Sequence, residues 1–325
     1  MLTTWNTAAY AAEALPEATA PSGVVDRPGA SVSAGDLNLI IAKATLPGFT
    51  IRRTVPEVRL QFTVADAQGR LLKSIASADL RILDNRVTVP RIRDFSRLED
   101  LPLQVGILLD VSDSVEKTAL RERQATQFFL NHIVRPETDR VALMAFSNEM
   151  NLWQRSTGDR NALNRALANI SQRGFITNLY DSVYRACLEQ FWPLQDGGPA
   201  QRILVLISDG EDTGSLHTMT DAISAAQRRE VQIYALSVHK ARLSAPGDGV
   251  LKQLAESTGG QLYVAATEKD FPALFTAMEQ HMRTQYAVSF QPADQTPGFH
   301  TVQIEMAGGP KLRVHARNGY FLDTQ

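Results

Sequence analysis

Four near-continuous apolar runs constrain this chain more than any other feature: residues 105–109, 140–146, 203–207 and 231–238. Each has the length of a strand and lacks the polar alternation of a half-exposed one, so both of its faces must be covered. The segments between them carry helical spacing. Helices are predicted near 115–134, 159–171, 179–192, 216–229, 250–258 and 269–283, with a short strand near 150–155 and another at 261–264. Buried strands that alternate with helices predict an α/β fold, a doubly wound, mostly parallel, Rossmann-like sheet. Such sheets bind ligands beyond the carboxyl ends of their strands.

Two of these strand ends carry oxygen-rich sequences. The first run ends in Asp110-Val111-Ser112-Asp113-Ser114, and the third runs into Ser208-Asp209-Gly210. Between them, Arg173-Gly174-Phe175-Ile176-Thr177-Asn178 delivers Thr177 just before a helix. Oxygen side chains at alternate positions past a buried strand can converge on one hard cation. Taken singly, each residue has another use. Ser112 or Ser114 could cap the following helix, Thr177 could cap the helix near 179, and Asp209 could make the turn before Gly210.

The three pieces, in this order, resemble the metal-ion-dependent adhesion site of the von Willebrand factor A family. Asp110, Ser112 and Ser114 match its first motif, Thr177 its isolated threonine and Asp209 its distal aspartate. The resemblance covers about 101–283. The flanking VRLQFTVADAQGRLL and QYAVSFQPADQTPGFHTVQIEMAGGPKLRVHARNGYFL are similar to the bacterial subgroup of acidobacterial VWFA-related proteins. The resemblance implies a Mg²⁺ (or Mn²⁺) site formed by Asp110, Ser112, Ser114, Thr177 and Asp209. It also implies a protein partner that presents an Asp or Glu side chain to the metal, and a non-enzymatic, adhesion-type role. A structural subunit with no external ligand, or a metal-dependent hydrolase, is the alternative. The subgroup is commonly exported, so a periplasmic or extracellular location is expected.

The rest of the chain narrows the field mainly by exclusion. A net charge of -2 over 325 residues gives no global basic field for nucleic acid. The six histidines show no paired spacing for zinc. There is no Gly-rich phosphate cradle and no Gly-x-Ser-x-Gly elbow. The single cysteine, Cys187, has helical spacing with Val183 and Tyr184, which suits packing. No apolar run reaches the roughly 20 residues of a membrane helix. The start, MLTTWNTAAYAAEALPEATAPSG, has no basic n-region, although Ala9-Tyr10-Ala11 looks like a cleavage site.

Residues 1–50 read as a mostly disordered leader with one apolar patch, Leu37, Leu39, Ile40 and Ile41. Over 55–98 the period becomes two: Val58, Leu60, Phe62 and Val64 alternate with polar residues. Asp66-Ala67-Gln68-Gly69 and Asp84-Asn85 read as hairpin turns, and Pro90 implies that the later strand lies at an edge or carries a bulge. The pattern returns over 285–320. Either part alone would be marginal, so the two are expected to pack as one β-sandwich of about seven strands, carrying the α/β part (101–283) as an insert; two separate small β units are the alternative. Arg81, Arg86, Arg91, Arg93 and Arg97 read as a solvated basic strand face. Asp113 and Asp181 are expected to face solvent or their own helix ends. Glu211 and Asp212 are expected to be loop charge or a cap near 216.

Overall fold

The computed structural model describes residues 57–116, 118–171, 174–189, 199–238, 246–307 and 312–322. The expected leader, with its apolar patch, and the end of the helix expected at 179–192 lie outside these residues. In chain order the first strands are β1 (Val58–Ala65), β2 (Leu80–Asp84), β3 (Val87–Thr88) and β4 (Ile92–Arg97). The α/β part follows: β5 (Leu103–Asp110), α1 (Ala119–His132), β6 (Arg140–Phe146), β7 (Met150–Thr157), α2 (Arg160–Asn169) and α3 (Leu179–Glu189). It continues with β8 (Gln201–Ile207), α4 (Met219–Arg228), β9 (Val231–Val238), α5 (Asp248–Thr258), β10 (Leu262–Ala265) and α6 (Phe271–Arg283). The chain closes with β11 (Tyr286–Phe290), β12 (Gly298–Met306), β13 (Arg313–Ala316) and β14 (Gly319–Leu322).

The central sheet has the order β10-β9-β8-β5-β6-β7. All its pairings are parallel except β6 with β7. Alternate residues of each inner strand feed opposite cores. Val105, Ile107 and Leu109 of β5 join Phe129, Leu163 and Phe275 of α1, α2 and α6. Leu108 faces the other way, with Val183, Ala222 and Leu251 of α3, α4 and α5. Cys187 is fully buried in this second layer, and burial pushes its thiol up. After β5 the chain turns toward β6; after β8 it turns toward β9. The strand order therefore reverses between β5 and β8, and this switch point is where a doubly wound sheet opens a crevice.

Strands from both flanks interleave in two four-stranded sheets, β13-β1-β11-β4 and β14-β12-β2-β3. Val58, Leu60, Phe62 and Val64 of β1 share a core with Ile82, Val288, Ile304 and Tyr320. β3, just before Pro90, lies at a sheet edge, where a missing N–H costs no ladder bond. The basic residues Arg81, Arg86, Arg91, Arg93 and Arg97 are all exposed.

Buried polar groups fasten the sandwich to the α/β part. His281 of α6 bonds Tyr234 (2.9 Å) and Thr63 of β1 (3.1 Å). Within the α/β part, Arg283, at the end of α6, donates to Asp139 at 2.7 Å, and Asp139 also accepts from Leu103 N, the first residue of β5 (2.9 Å).

Three local expectations need correction. The helix expected from 115 begins at Ala119, because Asp113–Val115 forms a 3₁₀ turn closed by Glu116 N→Asp113 O (3.2 Å). The turn at Asp66–Gly69 forms, with Gly69 at φ 81°, but the returning chain pairs only through an Ala65–Leu71 bridge, so no second strand grows there. The second hairpin turns at Asn85-Arg86 and not at Asp84-Asn85. Both Asn85 and Arg86 have positive φ, 47° and 68°, the signature of a two-residue hairpin turn that matches strand twist.

Candidate functional site

The crest of the central sheet is assembled from three loops that bracket the switch point. β5 carries Asp110 to its end, fully buried. Its Oδ1 accepts from Ser112 N (3.0 Å) and Ser112 Oγ (2.6 Å). Ser112 Oγ lies 3.0 Å from Ser114 Oγ. Ser112 caps no helix with its side chain. The 3₁₀ turn that delays α1 is what brings Ser114 back beside Ser112.

The second loop is tied to the first by a parallel bridge between Ser112 and Gly174 and by Asp113 N→Gly174 O (3.0 Å). It carries Thr177, which is buried. The third loop leaves β8 through Ser208. Ser208 Oγ donates to Asp110 Oδ2 (2.7 Å) and accepts from Gly210 N (3.0 Å). Asp209 sits between them, and its Oδ1 accepts from Glu211 N (3.1 Å). Gly210 has φ 80°, and an added Cβ would lie 2.3 Å from Gly247 O, so both the turn and the close approach require glycine. The second and third loops are joined directly: Thr177 N donates to Thr213 Oγ1 and Thr213 N to Thr177 O, both at 2.9 Å.

Family membership follows from this arrangement together with the match it makes. Residues 104–279, more than half of the chain, match the model of the von Willebrand factor type A domain. The chain belongs to that family. Among solved structures, it is similar to BatB from Bacteroides thetaiotaomicron, at 17% identity over 55% of this chain and 97% of that one, TM-score 0.45. It is also similar to proximal thread matrix protein 1 from the mussel byssus, solved with a zinc-occupied MIDAS motif. That match is 14% identical over 57% of this chain and 48% of that one, TM-score 0.47. No curated protein matches.

Two buried carboxyls near this VWA crest, Asp110 and Glu122, have raised pKa values. Burial, with the nearby charge of Asp209, pushes the Asp110 carboxyl up to about 6, against the opposing hydrogen bonds from Ser112 and Ser208. Glu122 of α1 is buried as well. Its Oε1 accepts from Thr118 Oγ1 at 2.6 Å, and its Oε2 has no hydrogen-bond partner. Burial, reinforced by Asp110 and Asp209, raises its pKa well above the usual carboxyl range. Among the described residues no three His, Cys, Asp or Glu side chains gather into a metal cage. The five residues predicted as ligands offer two carboxylates and three hydroxyls, all oxygen, and Asp110, Ser112 and Ser114 are joined in series by hydrogen bonds. Such a set fits a divalent cation.

Several crest residues have roles that differ from those expected. Asp212 does not cap the helix near 216; it accepts from Tyr180 N (3.2 Å) and Ser215 Oγ (2.5 Å) at the start of α3. Asp181 does not serve its own helix end. It accepts from Leu216 N (3.1 Å) and His217 N (2.8 Å), and lies 2.7 Å from His217 Nδ1. Although burial opposes it, these donors hold the Asp181 carboxyl below its ordinary value. The two acids thus cross-link α3 to the third loop. Asp113 and Glu211 are exposed. Ser208, Thr213 and Glu122 carry no motif, and Ser208 alone had a signal, its place between a buried strand and Asp209.

Proposed function

We propose that this VWA chain is a non-enzymatic protein-binding module whose divalent-cation site receives an Asp or Glu side chain of a partner protein. The observation that carries this reading is the convergence of Asp110, Ser112 and Ser114 at the switch point, where Ser112 Oγ lies 2.6 Å from Asp110 Oδ1 and 3.0 Å from Ser114 Oγ. Asp110, Ser112, Ser114, Thr177 and Asp209 would hold the ion, with Mg²⁺ or Mn²⁺ suited to the all-oxygen set. A bound cation supplies an electrophilic position that a carboxylate from outside can occupy. The chain's own residues prepare that position. Three hydroxyls donate neutral oxygen and leave positive charge uncancelled, while Asp110 is held in place by Ser112 and Ser208. A non-enzymatic role is supported by His217 of the third loop, which is committed to Asp181 and stacks on Tyr184 with ring centroids 4.0 Å apart. Membership of the acidobacterial subgroup, and export from the cell, belong to the same proposal.

Water-proton relaxation of Mn²⁺ added to the full chain tests the reading. Bound Mn²⁺ should enhance relaxation, and a short Asp- or Glu-bearing peptide should lower the enhancement by displacing water. Ser112→Ala and Thr177→Ala should weaken Mn²⁺ binding, and Asp209→Ala should abolish it, with circular dichroism unchanged because the site lies on loops. Wild-type Mn²⁺ affinity in all three variants would place the ion elsewhere.

A further inference from the structure

Among the described residues the two most exposed large apolar side chains are Leu216, at 93%, and Phe175, at 92%. Both belong to the crest, as does Ile176 at 44%. A single exposed apolar residue needs no explanation. Three on two mutually bonded loops, beside the same site, do.

Their placement follows from the bonds already described. Phe175 lies between Gly174, which pairs with Ser112, and Thr177. Leu216 follows Thr213, which exchanges two backbone-anchored bonds with Thr177, and its own N–H is held by Asp181. The loops beneath them are anchored. Ile176 N donates to Asn148 Oδ1 (3.1 Å), and Asn178 N donates to Ser147 O (2.9 Å). Ile176 lies over Gly214, where an added Cβ would stand 2.4 Å from Ile176 Cγ2. Fixed backbones that project large apolar side chains present contact area with little ordering left to lose, as interface anchors do.

Resting on the function proposed above, we infer that Phe175, Ile176 and Leu216 form an apolar rim that selects partner segments whose metal-seeking carboxylate is flanked by bulky apolar side chains. The occupant is set by complementarity. The centre of the crest calls for one carboxylate and its rim for hydrocarbon, so a strongly acidic peptide satisfies only the centre.

Two acetylated, amidated peptides test this on the full, Mn²⁺-loaded chain: Gly-Leu-Asp-Leu-Gly and Gly-Gly-Asp-Gly-Gly. Burying even part of the two leucines should give the first at least about a tenfold advantage. Phe175→Ser combined with Leu216→Ser should shrink that advantage to less than about threefold. Mn²⁺ affinity is measured separately for every variant. Mn²⁺-dependent binding of both peptides with equal affinity, or an advantage untouched by the double substitution, overturns the rim while leaving the metal-site reading intact. Absence of Mn²⁺ binding, or of any peptide response to it, overturns that reading and the rim with it. Sedimentation of the chain alone covers the other occupant. A dimer that Phe175→Ser and Leu216→Ser dissolve would make the patch a contact between copies and refute the partner assignment.

Discussion

Asp110→Asn should make the metal-free protein more stable, although Asp110 is central to the proposed site. A carboxyl moved from its ordinary 3.8 up to about 6 is easier to ionise in the unfolded chain than in the folded one. Its contribution is fully present below about pH 3.8 and is lost as pH rises through about 6. At 1.36 kcal/mol per pH unit, the ionised group costs the metal-free fold about 3 kcal/mol at pH 7. Asparagine removes that charge. Its Oδ1 still accepts from Ser112, but its Nδ2 faces Ser208 Oγ, which now donates to Asp110 Oδ2 and already accepts from Gly210 N. Losing that bond costs about 1 kcal/mol. The net gain is about 2 kcal/mol, or about 4–8 °C in Tm for a domain of this size.

Urea unfolding in chelator at pH 7 reads the gain directly. Near pH 4 it should fall below about 1 kcal/mol, because wild-type Asp110 is then protonated in the fold. In Mg²⁺ at a hundred times Kd the wild type should gain about 2.7 kcal/mol by mass action, while Asp110→Asn gains nothing. A variant less stable than wild type in chelator at pH 7 refutes the buried-anion argument. An undiminished Mg²⁺ response in the variant refutes Asp110 as a ligand.

Two further perturbations probe the frame under the site. Asp139→Ala removes the acceptor of the Leu103 N–H and one of the two carboxylates that hold Arg283, which keeps Glu279 at 3.3 Å, so it should cost about 1–3 kcal/mol in urea unfolding; an unchanged stability would show that the pair does not fasten α6 to β5. His300 is buried against Asp84 at 3.0 Å. Burial alone would lower its pKa, but the Thr296 carbonyl and the Asp84 carboxylate together raise it. Its stabilisation should be complete below about pH 6.5, the unfolded value, and fade as pH rises through the higher folded one. The stability difference between wild type and His300→Gln should therefore shrink from pH 6 to pH 9, and a difference constant across that range would contradict the pairing.

What the sequence revealed and what it hid divide along a physical line. β5 and β8 were legible because burial on both faces leaves continuous apolar runs, and Asp110 and Asp209 because each is placed by the strand before it. β1 was legible from its period of two, and the edge position of β3 from Pro90. The start of α1 was not, because a 3₁₀ turn and a helical turn have similar side-chain spacing and differ in which carbonyl accepts. Asp181 and Asp212 were misread because their partners lie some thirty residues away, at Leu216, His217 and Tyr180. No local pattern records a bond across that distance.

Glu122 is the most instructive omission. A glutamate on a helix reads as a solvated charge, yet this one is buried, with one oxygen unpartnered. Local pattern and tertiary placement disagree there, because α1 buries a carboxyl whose ionisation the charges of Asp110 and Asp209 also oppose. A fold with no use for that charge would do better with an apolar residue at 122. The cost becomes intelligible if the crest carries a cation, because the same carboxyls that destabilise the metal-free fold then favour the ion. Departures from local consistency are expected where stability is given up for function, and here the departure is a carboxyl whose ionisation the charges of Asp110 and Asp209 oppose.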